Sequence, residues 1–342
     1  MRLETGRDRD EPPCRREGCD WEGKRGSGDG SDVLTMKKEN RPEPSSHTPR
    51  VSIGMPVYNG ERWLATTIDS LRRQTFADFE LIISDNASED QSAAICLRHA
   101  AEDARIRYLR QPSNIGANRN YLAVLREARG PYFKWASSND LCAPEFLERC
   151  VTLLDRRPDA VLACPRTALF QQVIADAIAY ECDVEVEEDD PALRFAGVLQ
   201  RMRLNNSFNG ILRTAALRRA LPMGTFWAAD VVLMADLALI GKLALLPERH
   251  FFRRMSAESA TSLRGREAIE RHFEPTVRRP LLWQHWKYHL RLLRVALRSA
   301  PGVSQKLRAA GFAVRFMVWA RNSLAADLLQ AMRRLTPARD SH

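Results

Sequence analysis

The stretch Val51–Leu64, VSIGMPVYNGERWL, decides how this 342-residue chain is read. Val51–Pro56 is an apolar run stopping at a proline, the pattern of a strand buried on both faces. Glu61–Gln74 follows as a helix with Leu64, Ile68 and Leu71 on one face. The same rhythm continues. Phe79–Ser84 predicts a second buried strand, then a helix capped by Ser88 and running to about Glu102. A short strand over Ile106–Leu109, a helix over Gly116–Arg129 and a strand over Tyr132–Ala136 come next. A helix over Pro144–Leu154, entered through its proline, and a short strand over Val161–Cys164 close the series. Strands alternating with helices of this length predict an α/β fold, a Rossmann-like, mainly parallel sheet with helices on both faces. Ligands of such sheets bind at the carboxyl ends of the strands.

Those ends read Pro56-Val-Tyr-Asn-Gly-Glu61, Ser84-Asp-Asn-Ala-Ser88, Asn114-Ile-Gly116 and Ser137-Ser-Asn-Asp140. Turn chemistry explains any one of them; four polar loops on one edge point to a site. G-x-G-x-x-G after the first strand, a P-loop and a G-x-S-x-G elbow are all missing, which removes the main support for dinucleotide, P-loop and hydrolase readings.

From about Arg50 to Arg166, VSIGMPVYNGERWL, FELIISDNASED and NIGANRNYLAVLREARGPYFKWASSNDL resemble, in order and spacing, the nucleotide-binding half of family 2 glycosyltransferases. A weaker resemblance runs through NGILRTAAL, AADVVLMADLALIGKLALLPE and FFRR to about residue 262. It implies a GT-A fold over 50–262, divided into a nucleotide-sugar half (50–166) and an acceptor half (167–262). It also implies inverting transfer of a sugar from a nucleotide-sugar donor to an acceptor hydroxyl, on a saccharide or lipid-linked acceptor, in polysaccharide or glycolipid synthesis. Pro56, Tyr58 and Glu61 match the loop beside the base and ribose, and Asp85 the carboxylate that accepts from the base edge. Asn114 and Gly116 match the loop and helix start beneath the donor phosphates. Asn120, one turn on, faces either the cleft or solvent.

The family's Asp-x-Asp, with a further Asp behind it, falls on Ser137, Asn139 and Asp140. Oxygen ligands there hold a hard cation on the diphosphate, so Asn139 and Asp140 are expected to bind Mg²⁺ or Mn²⁺. Basic side chains in place of the metal are one alternative; a weakened scaffold that binds a nucleotide sugar or a partner protein is another. Asp230 matches the general base that takes the acceptor proton, although a carboxylate opening a helix also suits the helix dipole. Arg253 and Arg254 match a basic pair over the diphosphate, suited to bidentate contact; the His that usually follows is absent, since Met255 is next. Asn209-Gly210 with Arg213 matches an acceptor-side strand, or a simple turn.

Around this centre, composition is ordinary: 44 % hydrophobic and 28 % charged residues exclude fibrous, fully disordered and multi-span classes. Residues 1–49, rich in Gly, Pro, Ser and mixed charge, are expected to be a disordered extension without a signal-peptide core, and Met36 offers an alternative start. The net charge of +9 is local. Residues 251–342 hold 18 Lys and Arg against 6 Asp and Glu, whereas 1–50 are balanced at 11 each. Within the expected basic helical region, 263–342, residues 281–298 predict an amphipathic helix, with Lys287, Arg291, Arg294 and Arg298 on one stripe and Leu282, Trp286, Leu293 and Leu297 on another. Such a helix suits peripheral contact with an anionic membrane. Nucleic acid is not an expected partner, because no recognised module accompanies the charge. A cytoplasmic enzyme at the inner membrane face is the resulting expectation.

Overall fold

Four of the apolar runs become the parallel strands β1 (Val51–Val57), β2 (Phe79–Asp85), β3 (Ile106–Arg110) and β4 (Tyr132–Trp135), ordered β3-β2-β1-β4. The computed structural model describes residues 47–220, 222–256, 272–273 and 283–335; the extension expected over 1–49 lies, up to Ser46, outside the described residues. β2 is buried along its whole length because helices cover both faces. α1 (Glu61–Arg72) and α4 (Phe146–Arg156) bury Leu64, Ile68, Leu71, Phe146 and Leu147 against Ile53, Met55 and Ile83. α3 (Ala117–Arg126) covers the other face, where Val124 meets Ile82, Phe133 and Trp135. The pleat of β4 separates its residues: Phe133 and Trp135 face α3, while Lys134 points at Phe146 and at Phe251.

Beyond β4 the direction changes. β8 (Ile211–Arg213) pairs antiparallel with both β4 and β6 (Ala160–Phe170); β9 (Lys242–Arg254) runs parallel to β6. β5 (Leu141–Cys142) and β7 (Ile178–Ala179) pair antiparallel with β9 and β6. The sheet is mixed, with most paired residues in parallel ladders.

Three elements depart from their expected bounds. α2 (Ser92–Glu102) starts four residues after Ser88, because the Ser88 hydroxyl is engaged by the Asn59 N–H. α4 starts at Phe146, past Pro144, whose carbonyl accepts the Thr75 N–H. The short fifth strand is eleven residues long, since β6 also takes on β7 and the full length of β9.

α5 (Pro191–Arg201), α6 (Thr214–Arg219) and α7 (Ala229–Ile240) complete the second half. α7 buries residues on every side, which marks a helix enclosed by others. What encloses it comes partly from the C-terminal helices α8 (Gln284–Ser299), α9 (Gly302–Trp319) and α10 (Arg321–Leu335). Leu292, Val295 and Ala296 of α8, with Ala309 and Ala313 of α9, belong to the same core cluster as Leu233, Leu237 and Trp135. The helices of the expected basic C-terminal region thus contribute to the main core.

The amphipathic reading of 281–298 is also corrected. The buried face is His289, Leu292, Val295 and Ala296, while Leu290 and Leu297 are exposed beside Lys287, Arg294 and Arg298. Arg291 leaves the basic stripe and donates to the Pro222 carbonyl. Apolar and basic side chains thus share one outer face. Among the described residues, no helix is long and apolar enough to cross a membrane.

Candidate functional site at the carboxyl ends of the strands

The loops after β1 and β2 are bound to each other. Asn59 N–H donates to Ser88 Oγ (3.0 Å), Gly60 N–H to Ser92 Oγ (2.9 Å) and Glu61 N–H to Asp90 Oδ2 (2.9 Å). In return Glu61 Oε2 accepts the Gln91 N–H (2.9 Å) and Asn59 Oδ1 the Glu89 N–H (2.9 Å). Glu61, expected beside the nucleotide, here caps the neighbouring loop. Pro56 lies within β1, just before the strand ends at Val57, and Tyr58 is left 47 % exposed at the rim.

Asp85 is fully buried. Its Oδ1 accepts the Ser88 N–H (2.8 Å), and its Oδ2 accepts from Tyr108 Oη (2.7 Å) and Arg110 Nη1 (2.9 Å). Tyr108 and Arg110 thus occupy its Oδ2. Burial, and then the bond to Asp85, push the Tyr108 phenol up to about 12, so it stays a donor. Tyr108 and Arg110 were missed in the sequence, although their spacing of two on β3 puts them on one face beside β2, with Arg110 in register with Asp85.

Asn114 Oδ1 accepts from Asn86 Nδ2 (2.8 Å) and the Gly116 N–H (2.9 Å), shaping the turn into α3. Asn120 faces neither cleft nor solvent: it donates to the Ser84 carbonyl (2.9 Å) and accepts from Ser84 Oγ (2.6 Å). Arg213 is structural, donating to the Ala160, Leu154 and Arg157 carbonyls.

The turn after β4 is held from behind. Asp140 Oδ1 accepts the Arg254 backbone N–H (2.8 Å), and Arg254 Nε donates to the Asn139 carbonyl (3.0 Å). Arg254 Nη1 donates to the Gln171 carbonyl (2.7 Å), and the guanidinium lies 3.7 Å above the Trp63 ring. Arg254, expected over the diphosphate, is therefore a buried brace. Arg253 takes the other direction, its Nη1 donating to Asn206 Oδ1 (2.7 Å).

Asp230 lies in the first turn of α7, just after Ala228 in the left-handed region at φ 58°. Its Oδ2 accepts from Asn205 Nδ2 (2.9 Å). Trp227 stacks on Tyr288 of α8 at 5.7 Å, so the C-terminal helices support this loop. Asp236, on the same helix, is buried instead. Tyr121 reports how the pieces converge: burial first, then the charges of Asp140 and Asp230, push its phenol up to about 12, while a Ser137 hydrogen bond and Arg253 oppose this. Asp230 thus bonds Asn205 and Arg253 the adjacent Asn206, while the charges of Asp140 and Asp230 both bear on Tyr121.

The residues at that turn do not fit a metal ion. Asp140, its one carboxylate, is 8 % exposed and directed at the β9 backbone; Ser137 and Asn139 are neutral; Arg253 and Lys134 both act on Asp140 as cations. Among the described residues, no three His, Cys, Asp or Glu side chains gather to hold a metal. The expected Mg²⁺ or Mn²⁺ at Asn139 and Asp140 thus lacks an anionic donor set facing the cleft.

Residues 52–216 match the family model "Glycosyl transferase family 2". An Escherichia coli chondroitin synthase is 33 % identical over 120 residues, 35 % of this chain and 17 % of that protein. An uncharacterized glycosyltransferase of Rickettsia typhi is 30 % identical over 122 residues, covering 35 % and 37 %. The Bacillus subtilis putative glycosyltransferase EpsH is 33 % identical over 125 residues, covering 36 % of each chain. The matched part thus spans little over a third of the latter two relatives. Among solved structures, S. aureus TarS in complex with UDP-GlcNAc superposes with TM-score 0.58 at 16 % identity, covering 80 % of this chain and 74 % of that one. A Pyrobaculum calidifontis mannosyltransferase in complex with GDP-Man and Mn²⁺ gives 0.50 at 15 % identity, covering 85 % and 81 %. The fold is thus of the GT-A kind, and residues 52–216, just under half of the chain, match the model of glycosyl transferase family 2.

Proposed function

We propose that this protein transfers a sugar, with inversion, from a nucleotide-sugar donor to an acceptor hydroxyl in the synthesis of a polysaccharide or glycolipid. One observation carries the reading: Asp230 accepts from Asn205 and Arg253 donates to the next residue, Asn206, so carboxylate and guanidinium are held by one loop. Acceptor base and leaving-group cation need that juxtaposition. In the reaction, Asp230 removes the acceptor proton as the hydroxyl oxygen attacks the anomeric carbon, and the bond to the diphosphate breaks on the opposite face. Arg253 balances the charge that develops on the departing nucleoside diphosphate. Tyr58, Asp85 and Arg110 border the base, and the turn through Asn114 and Gly116 lies under the phosphates. The relatives support the donor class: TarS was solved with UDP-GlcNAc, and a chondroitin synthase shares the matched segment.

The acceptor side extends to α8. Exposed Leu290 and Leu297, set among Lys287, Arg294 and Arg298, suit peripheral contact with an anionic bilayer and a lipid-linked acceptor.

The test is nucleoside diphosphate release from a panel of nucleotide sugars, with acceptor extracts added. Release from one donor supports transfer. Tight donor binding with no release from any donor would favour the scaffold reading, which the neutral Ser137 and Asn139 motivate.

A further inference from the structure

We infer that fixed cations, and not a divalent metal, hold the donor diphosphate at the turn after β4. The inference rests on the nucleotide-sugar reading above.

Lys134 lies on the strand that leads into this turn, and Arg253 and Arg254 end β9 beside it, where Asp140 accepts the Arg254 N–H. Lys134 is 1 % exposed, its ammonium donating to the Asn209 carbonyl 4.3 Å from the Phe146 ring centre. Arg254 is 3 % exposed, with carbonyl acceptors. Arg253 donates to an amide oxygen. Among the described residues the hydrogen-bond acceptors of these three side chains are neutral, carbonyl or amide oxygens in every case. Buried charge without a counter-charge is costly, and a diphosphate brings the missing anion. A divalent cation would enter surroundings that are already positive and find a neutral Asn139 as its ligand. Arg253 is half-buried, and a guanidinium spans two phosphate oxygens. Lys134 acts one layer beneath, where low polarity lengthens its reach.

The experiment is calorimetric titration of the full chain with UDP, GDP, TDP, CDP and ADP, each in EDTA and in excess MnCl₂. The expected result is that one nucleoside diphosphate binds, with the same affinity in both buffers. Arg253→Ala should then weaken that nucleotide by about tenfold or more and the matching nucleoside hardly at all, whereas Arg253→Lys should recover part of the loss. Restoring the motif with Ser137→Asp and Asn139→Asp should make binding respond to Mn²⁺. Binding of the unaltered chain that tightens about tenfold or more with Mn²⁺ would overturn the inference while leaving the glycosyltransferase reading intact. An Arg253→Ala variant that binds nucleotide unchanged would overturn it too. If no nucleoside diphosphate binds in either buffer, the nucleotide-sugar reading itself fails.

Discussion

Gly116 holds φ at +85° in the turn into α3, and its N–H meets Asn114 Oδ1. A side chain there is strained, so Gly116→Ala should cost about 1–2 kcal/mol, read as a lower urea midpoint at unchanged slope. This residue was legible because a glycine opening a helix after a polar loop has few other uses. Asp85 was legible only by type. Its position at the end of β2 follows from the apolar run before it, but the Tyr108 and Arg110 donors that occupy it come from β3, twenty-odd residues later. Pairing of that kind has no local signal. The same holds for Asp140, whose partner is the backbone of Arg254 across the sheet.

At the scale of elements, Glu80 ties three strands and a helix end together. It accepts from Ser52 of β1, from Arg107 of β3, and from the Arg129 side chain and N–H beyond α3. Burial alone would raise its carboxyl; the hydrogen bonds from Arg129, Ser52 and Arg107 outweigh that and hold it below the ordinary 4.5. A folded value below the unfolded one means this stabilisation is complete above pH 4.5 and is lost as pH falls through the lower folded value. Urea midpoints measured from pH 6 downward should therefore drop, and Glu80→Gln should flatten the profile. A variant as acid-sensitive as the parent would contradict this clamp. The helices α1 and α3 and the first four strands were readable from apolar spacing. β6 was not, because its length is set by distant partners: β9 accompanies it from Ala160 to Phe170.

For the whole molecule, the surplus of positive charge lies on helices that share the main hydrophobic core. Residues 283–335 hold ten Lys and Arg and one Asp, yet Leu292, Val295 and Ala296 are fully buried in the cluster that includes α7. Composition showed the charge but not the buried face, because Leu290 and Leu297 look as apolar in the sequence as Leu292 does. Leu292→Ala should cost about 2–5 kcal/mol and lower the melting point of the whole protein in one transition; a separate early transition would mean the helices fold alone. These helices also brace the Trp227–Asp230 loop, through Gln284 and Tyr288. We propose this braced carboxylate as the base of the transfer. The most direct measurement compares Asp230→Asn with the parent for turnover and for donor affinity on the nucleotide sugar found active. Turnover should fall by about 10²-fold or more with donor affinity essentially unchanged. Turnover that survives the substitution would contradict it.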